Sequence, residues 1–339
     1  MKRILVVGLS NIGDAVLMSP VIEHLHDAFP QAHLTLLTGE RAQSLFVNDP
    51  RVQRLVCFDE FEGIVGRLQL IHFLWTLHPD LLVDLRHTVL PLLWKPWRGL
   101  RYFWPLPNQV AHMQQRHLTR LFRQAGSLTG AGTAMLDGHV TIWIDHTDRT
   151  AIDRLLTRWQ CDPTRSLVVI CPGARSHIKR WYPDRFAHLA DRLIDDAHAE
   201  VILTGEPDER PIVDDVLGAM RHRESVHSAV GLTMIRQLGA LMQRARLVIT
   251  NDSASLHLAC AVGTPVLALF GPTDPRKYGP TGTQDRVIQR RLFCVPCEQS
   301  LCRFHHECMR FISVDEVYEA AQQILGSGKF KVESGKGHG

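Results

Sequence analysis

Residues 247–270 constrain the chain more than any other stretch. Leu247-Val248-Ile249-Thr250 is a short, β-branched apolar run with the length of a buried strand. Asn251-Asp252-Ser253-Ala254-Ser255-Leu256-His257 follows as a polar turn that opens into a small-residue helix pattern. A second strand, Val266-Leu267-Ala268-Leu269-Phe270, is closed by Gly271-Pro272-Thr273-Asp274-Pro275. Strand, turn, helix and strand make a βαβ unit, with its polar turn at the carboxyl end of a parallel strand. Open α/β sheets bind ligands there. Asp252 and Ser253 are helix-capping residue types, and the N–H groups behind them favour an anion. Two readings stay open, a plain N-cap or a ligand site. His257 lies one helical turn beyond Ser253 and shares its face, which favours the second.

The N-terminal half repeats the pattern. Strands are expected at 4–7, 33–38, 54–58 and 81–85, with helical periodicity between them, so this half reads as a βα sheet. The turn Gly8-Leu9-Ser10-Asn11-Ile12-Gly13-Asp14 matches neither GxGxxG nor a P-loop, which disfavours hydride transfer. Asp14 sits in the turn after the first strand, where a helix N-terminus would keep it ionised. It is either an ordinary first-turn Asp or, in a cleft, a general base for an acceptor hydroxyl.

Three of the seven tryptophans fall between residues 90 and 107, interleaved with Lys95, Arg98 and Arg101. Such a stretch suits a membrane interface or a phosphorylated amphiphile, and equally a packed region with solvated basic residues. Residues 113–125 form a further helix, with Arg116, Arg120 and Arg123 extending the basic surface. The segments 60–75 and 90–110 are expected as loops that set the acceptor.

The chain has 339 residues, enough for two domains. It is 45% hydrophobic and 22% charged, as globular proteins are. A net charge of +3 is too small to argue for nucleic acid. No apolar run reaches the roughly 18 residues of a membrane span. The N-terminal apolar run breaks at Ser10-Asn11 without a cleavage pattern, so a cytoplasmic location is expected.

A loop is expected at 126–133, a strand at 140–144 and a helix at 149–159, with the boundary between domains 1–155 and 156–325. The tail 326–339 reads as disordered. Beyond the boundary, a strand at 166–171 ends in the basic turn Pro172-Gly173-Ala174-Arg175-Ser176-His177-Ile178-Lys179-Arg180-Trp181. Arg175, Lys179 and Arg180 would attract a diphosphate, and a solvated basic loop is the bland alternative. The strand at 200–204 ends in Gly205-Glu206-Pro207-Asp208-Glu209, where a carboxylate can hold ribose hydroxyls. Further helices are expected at 232–241 and 314–325. Three strand-end turns thus point to a nucleotide-diphosphate pocket.

Eight cysteines without a secretory signal argue against a disulfide framework. Cys294, Cys297, Cys302 and Cys308 have spacing C-x2-C-x4-C-x5-C, with His305 and His306 inside. A structural zinc site is one reading, reduced thiols or a local disulfide the other.

As a set, Ser10-Asn11-Ile12-Gly13-Asp14, Pro172-Gly173-Ala174 with Lys179-Arg180-Trp181, Asn251-Asp252-Ser253 through His257, and Gly271-Pro272-Thr273-Asp274-Pro275 resemble the family 9 glycosyltransferases, the bacterial lipopolysaccharide heptosyltransferase group. The resemblance covers nearly the whole chain. It implies an α/β GT-B fold, two Rossmann-like domains with parallel sheets facing across a cleft, the N-terminal one for acceptor and the C-terminal one for donor. It implies inverting transfer of heptose from ADP-L-glycero-β-D-manno-heptose to a lipopolysaccharide core acceptor, with Asp14 as base and no cofactor required. Lys179, Arg175, Glu206 or Glu209, Asp252, Ser253, Ala254 and His257 would then bind donor. Ser10, Asn11, Arg98 and Arg101 would bind acceptor. The implied partners are a nucleotide-diphosphate sugar and a lipid-linked oligosaccharide, with peripheral contact to the inner membrane and no nucleic acid. Ser253-Ala254 stands where the family has Thr-Gly, and the family's ribose-binding Glu aligns with neither Glu206 nor Glu209 uniquely. The cysteine cluster receives no role from the resemblance. Competing readings are a same-fold transferase using another nucleotide sugar, a nucleotide-sugar epimerase, and a non-enzymatic glycolipid-binding envelope protein.

Overall fold

The computed structural model describes residues 2–95, 112–125 and 139–327. Arg98 and Arg101, the aromatic residues around them, the loop at 126–133 and the tail beyond 327 lie outside the described residues.

Two parallel sheets organise the chain. The first has order β3-β2-β1-β4, with β1 at Arg3–Val7, β2 at His33–Thr38, β3 at Arg54–Cys57 and β4 at Leu81–Asp84. The second has order β10-β9-β8-β5-β6-β7, with β5 at Leu167–Cys171, β6 at Glu200–Leu203, β7 at Val226–Ser228, β8 at Leu247–Asn251, β9 at Val266–Phe270 and β10 at Arg286–Gln289. Every strand pair is parallel. Parallel strands need covered faces, and the strand residues accordingly read as continuous apolar runs. In the first sheet the order reverses between β1 and β4, in the second between β5 and β8. A crevice opens at such a switch point beyond the carboxyl ends. The two crevices face each other, giving the GT-B arrangement of two Rossmann-like domains across a cleft.

One buried apolar cluster crosses the seam. Ala15 and Val16, on the helix Ile12–Leu17, share it with Leu256 and Ala259, on the helix Ala254–Ala261. The opposite face of the second sheet packs on the helices Pro183–Asp195 and Val314–Ser327.

Several expected elements differ. Residues 140–144 form no strand. Thr141 N–H is taken by Ser19 Oγ at 2.8 Å, and Ile142 and Ile144 lie where a Cβ on Gly239 would stand. The alternating side chains bind this segment to helices instead of a strand edge. The helix expected at 149–159 begins earlier, at His146–Arg158, because Asp145 and Asp148 form a capping box. The expected boundary at 155/156 falls inside this helix, which packs on Ile235–Arg244 through the Arg236 ion pairs with Asp145 and Asp148. The segment expected as an acceptor loop at 60–75 is largely the helix Gly63–Leu77. The last helix runs through Gly326 to Ser327. Strands β7 and β10 had no counterpart among the expected strands; one is three residues long and the other carries Arg286 and Gln289.

Candidate active site

The loops after β1, β5, β6, β8 and β9 meet around a cavity of about 1150 Å³. Asp14, Asn11, Arg175, Lys179, Glu206, Glu209, Asp252, Ser253, Ala254 and His257 all line it. Ser10 lies behind this wall. Its hydroxyl accepts from Arg86 Nη1 at 2.8 Å, and it packs against Gly39.

The floor is built by β8. Asn251 is fully buried at its end. Its Oδ1 accepts from Trp181 N–H at 3.0 Å, and its Nδ2 donates to the Pro172 carbonyl at 2.7 Å. One amide therefore clamps both ends of the basic turn, leaving no polar atom stranded. Trp181, itself buried, donates its Nε1 to the Ile312 carbonyl at 3.2 Å. Between these anchors, Lys179 Nζ reaches Asp252 Oδ2 at 2.6 Å, with the carboxylate 5% exposed and the lysine about one-third exposed. A charge-assisted bond of this length holds the ammonium at the head of the next helix.

The helix Ala254–Ala261 has no side-chain cap. Ser253, in the N-cap position, turns its hydroxyl to Thr250 Oγ1 at 3.2 Å, and Asp252 is engaged by Lys179. The expectation that Asp252 and Ser253 cap this helix is therefore corrected. The outcome favours a ligand, because no side chain takes the first-turn N–H groups.

Gly173 and Gly13 are needed for close approach. A Cβ on Gly173 would fall 2.1 Å from Glu209 Oε1. Glu209 thus wedges against the β5 turn, and its Oε2 accepts from Glu206 N–H at 2.9 Å. Burial pushes the Glu209 carboxyl above its ordinary value. Glu206 instead points across the cleft to Arg41. A Cβ on Gly13 would fall 2.9 Å from His257 Cδ2. The buried imidazole therefore seats on the first helix of the other half. Burial drives the His257 pKa down to about 4, against the upward pull of Asp252 and Asp14, so the ring is neutral near pH 7.

Asp14 stands in the first turn of Ile12–Leu17, half-buried, and accepts from Asn11 Nδ2 at 3.1 Å. Asn11 Oδ1 in turn accepts from Arg175 Nη1 at 3.0 Å, which joins the two halves. His112 Nε2 meets the Gly279 carbonyl at 3.0 Å across the same cleft. Tyr278 borders the cavity, its hydroxyl pKa raised by burial and by the Asp14 and Glu298 charges.

The structure brings the expected donor groups and Asp14 to one cavity. Sequence reasoning did not single out Arg41, His112, Tyr278 or Glu298 as site residues. Their partners are distant in the chain, so no local spacing announces them. The Gly13 approach was legible in principle, as a glycine inside the first turn of a helix.

Among the described residues, Cys161, Glu200 and His227 place three potential ligand atoms within 4.8 Å of one another. Glu200 is already held by Arg165 at 3.2 Å, which competes with a cation. The cluster of Cys294, Cys297, Cys302 and Cys308 is free of disulfides and surrounds a separate cavity.

Fold and site together define a GT-B glycosyltransferase, with a basic turn and an uncapped helix at the second sheet and a carboxylate facing them from the first. The model for Glycosyltransferase family 9 (heptosyltransferase) matches residues 102–307, and the chain belongs to that family. Lipopolysaccharide heptosyltransferase 2 of Escherichia coli K12 is 24% identical over 320 residues, covering 85% of this chain and 88% of its own. The family 9 glycosyl transferase from Veillonella parvula has a similar fold, with a TM-score of 0.83 at 23% identity, covering 96% of this chain and 98% of its own. The E. coli ADP-heptose lps heptosyltransferase II gives a TM-score of 0.76 at 23% identity, covering 96% and 99%.

Proposed function

We propose that this glycosyltransferase moves a heptose from ADP-heptose to a lipopolysaccharide core acceptor, with inversion and with Asp14 as the general base. The observation that carries the reading is Asp14 lining the same cavity as Lys179 and the uncapped helix Ala254–Ala261, from the opposite half of the molecule. The curated relative and the solved structure described above are named for heptosyl transfer and ADP-heptose, which supports the choice of donor.

In this reaction the acceptor oxygen bonds to the anomeric carbon and its proton passes to an Asp14 carboxylate oxygen. The anomeric C–O bond to the diphosphate breaks, and both electrons leave with ADP. The transition state is oxocarbenium-like. Negative charge grows on the diphosphate, where Lys179, Arg175 and the amides of Ala254 and Ser255 oppose it. In this reading these groups supply the positive field and no cofactor is required. Glu206 and Glu209 border the ribose end, and neutral His257 offers a hydrogen bond without adding charge.

A lipid-linked acceptor requires approach to a membrane. No helix among the described residues is long and apolar enough to cross one. The helix Gly63–Leu77 instead exposes Ile64, Val65, Leu68 and Trp75 to solvent. An apolar stripe of this kind fits peripheral contact with the inner membrane.

Calorimetry with ADP-heptose, ADP and UDP-sugars tests the donor. Selective ADP-heptose binding is expected, and preference for a UDP-sugar would overturn the assignment. Donor consumption without any acceptor would point to epimerisation instead.

A further inference from the structure

The second sheet carries a group of ligand-type side chains that the donor cavity does not use. The helix His146–Arg158 ends in a left-handed turn. Gln160 has φ of 56°, its N–H meets the Thr157 carbonyl at 3.0 Å, and Cys161 N–H meets the Leu156 carbonyl at 3.1 Å. This pair of bonds folds the chain back over the last helical turn and sets Cys161 against the sheet. On the sheet, the register Ile202↔His227 puts the His227 side chain on the same face as Glu200, two residues before Ile202. Trp159 stacks on the His227 ring, with centroids 5.0 Å apart and planes at 3°, which holds the ring in place. One ligand atom each from Cys161, Glu200 and His227 thereby lies within 4.8 Å of the other two.

The neighbouring ion pair does not use up the group. Arg165 Nη1 at 3.2 Å and the Asp162 N–H at 3.4 Å both reach Glu200 Oε1. Arg165 Nε is tied to the His198 carbonyl at 3.0 Å. Glu200 Oε2 takes no hydrogen bond among the described residues, so competition from Arg165 falls on one oxygen and orients the other. The His227 ring likewise makes no hydrogen bond among the described residues, and burial keeps its pKa below the ordinary value, leaving a neutral imidazole. Glu200 is buried, while Cys161 and His227 are half-buried, so the group is sheltered yet reachable from solvent.

We propose that Cys161, Glu200 and His227 bind one zinc ion, with water as the fourth ligand. A thiolate, an imidazole and a carboxylate are donor types of zinc, whereas calcium and magnesium take oxygens. Zinc bonds of roughly 2.0–2.3 Å set tetrahedral ligand atoms about 3.5 Å apart, so the three groups need to close by little more than about an ångström. Binding releases the Cys161 thiol proton to solvent and transfers no electrons. Glu200 opens β6, and the donor turn at 205–209 follows its other end. None of the three ligands lines the donor cavity. The ion would therefore pin the end of the helix His146–Arg158 to the second sheet, apart from the chemistry.

The test uses the full-length protein, reduced, stripped with chelator and then given zinc. Alkylation followed by peptide mapping reads Cys161 separately from the other cysteines. Zinc is expected to slow Cys161 alkylation by roughly tenfold in the wild type and to leave it unchanged in His227→Ala. Elemental analysis after dialysis should find one zinc per chain more in the wild type than in Cys161→Ser or His227→Ala. With cobalt in place of zinc, the difference spectrum between wild type and Cys161→Ser should show tetrahedral d–d absorption and a thiolate charge-transfer band. Should either variant fail to fold, Cys161 protection in the wild type decides. Equal Cys161 alkylation with and without zinc, or equal zinc content in wild type and both variants, would overturn the site. None of these readouts involves donor or acceptor, so the result stands apart from the function proposed above.

Discussion

The turn after β8 and the turn after β1 occupy equivalent positions at two sheet edges, yet they hold their carboxylates differently. Asp252 is 5% exposed, bonded to Lys179 and floored by Asn251, whose amide secures the neighbouring loop. Asp14 is half-buried and accepts from a solvent-exposed asparagine. A group that holds a leaving group in place gains from rigidity, because its dipoles need not reorganise during reaction. A base must stay open to an incoming hydroxyl. The contrast extends outward. In the second half β5, β8 and β9, which lead into the Lys179, Asp252 and Pro272 turns, are buried over their length, while the first half exposes an apolar helix at Gly63–Leu77.

The largest effect should come from the open side. Asp14→Asn keeps the shape and removes the proposed base, so turnover should fall by about 10² to 10⁴-fold. Calorimetric donor affinity should stay within about twofold, and a large loss of donor affinity would merge the two roles that the comparison separates.

Next comes acid sensitivity at the seam. The His257 pKa is about 4 in the folded protein, below the 6.5 of a free histidine. Between these values the unfolded chain binds more protons, so stability should fall as pH drops from 6.5 towards 4, by up to about 3 kcal/mol, and level off below. His257→Gln should flatten that limb in a denaturant series run at successive pH values. An unchanged slope would show that the imidazole is not held neutral.

Lys179→Ala should weaken ADP binding by about 10- to 100-fold, the range for a charge-assisted hydrogen bond. It should also lower Tm, because Asp252 loses its partner inside the site. A variant that bound ADP normally would place the diphosphate elsewhere.

The smallest expected effect lies on the outer face. Leu68→Glu with Trp75→Glu should reduce sedimentation with anionic vesicles several-fold, leaving turnover on a soluble acceptor fragment unchanged. Equal vesicle binding would move the membrane-facing surface away from this helix.

Much of this arrangement is readable in the chain because buried parallel strands announce themselves. The runs at β5, β8 and β9 are apolar throughout, and the polar residues that follow mark strand-end turns. Asp14, Lys179 and Asp252 could be placed in those turns one by one. The cross-cleft partners could not. Arg41 with Glu206 and Arg175 with Asn11 join residues 165 and 164 positions apart, and no local period encodes such pairs. β10 was hidden for another reason. An edge strand carrying Arg286 and Gln289 lacks the apolar signature of its neighbours. Residues 140–144 erred the other way, since their alternation is real but serves helix packing around Gly239.

Because Ala15 and Val16 of the first half share a buried cluster with Leu256 and Ala259 of the second, neither half closes its own core. Either piece alone would leave an oily face in water. The chain should therefore melt as one cooperative unit instead of two. During synthesis the helix bearing Asp14 is made early, and its covering, residues 254–261, emerges more than two hundred residues later. The pocket and the folded state consequently arrive together.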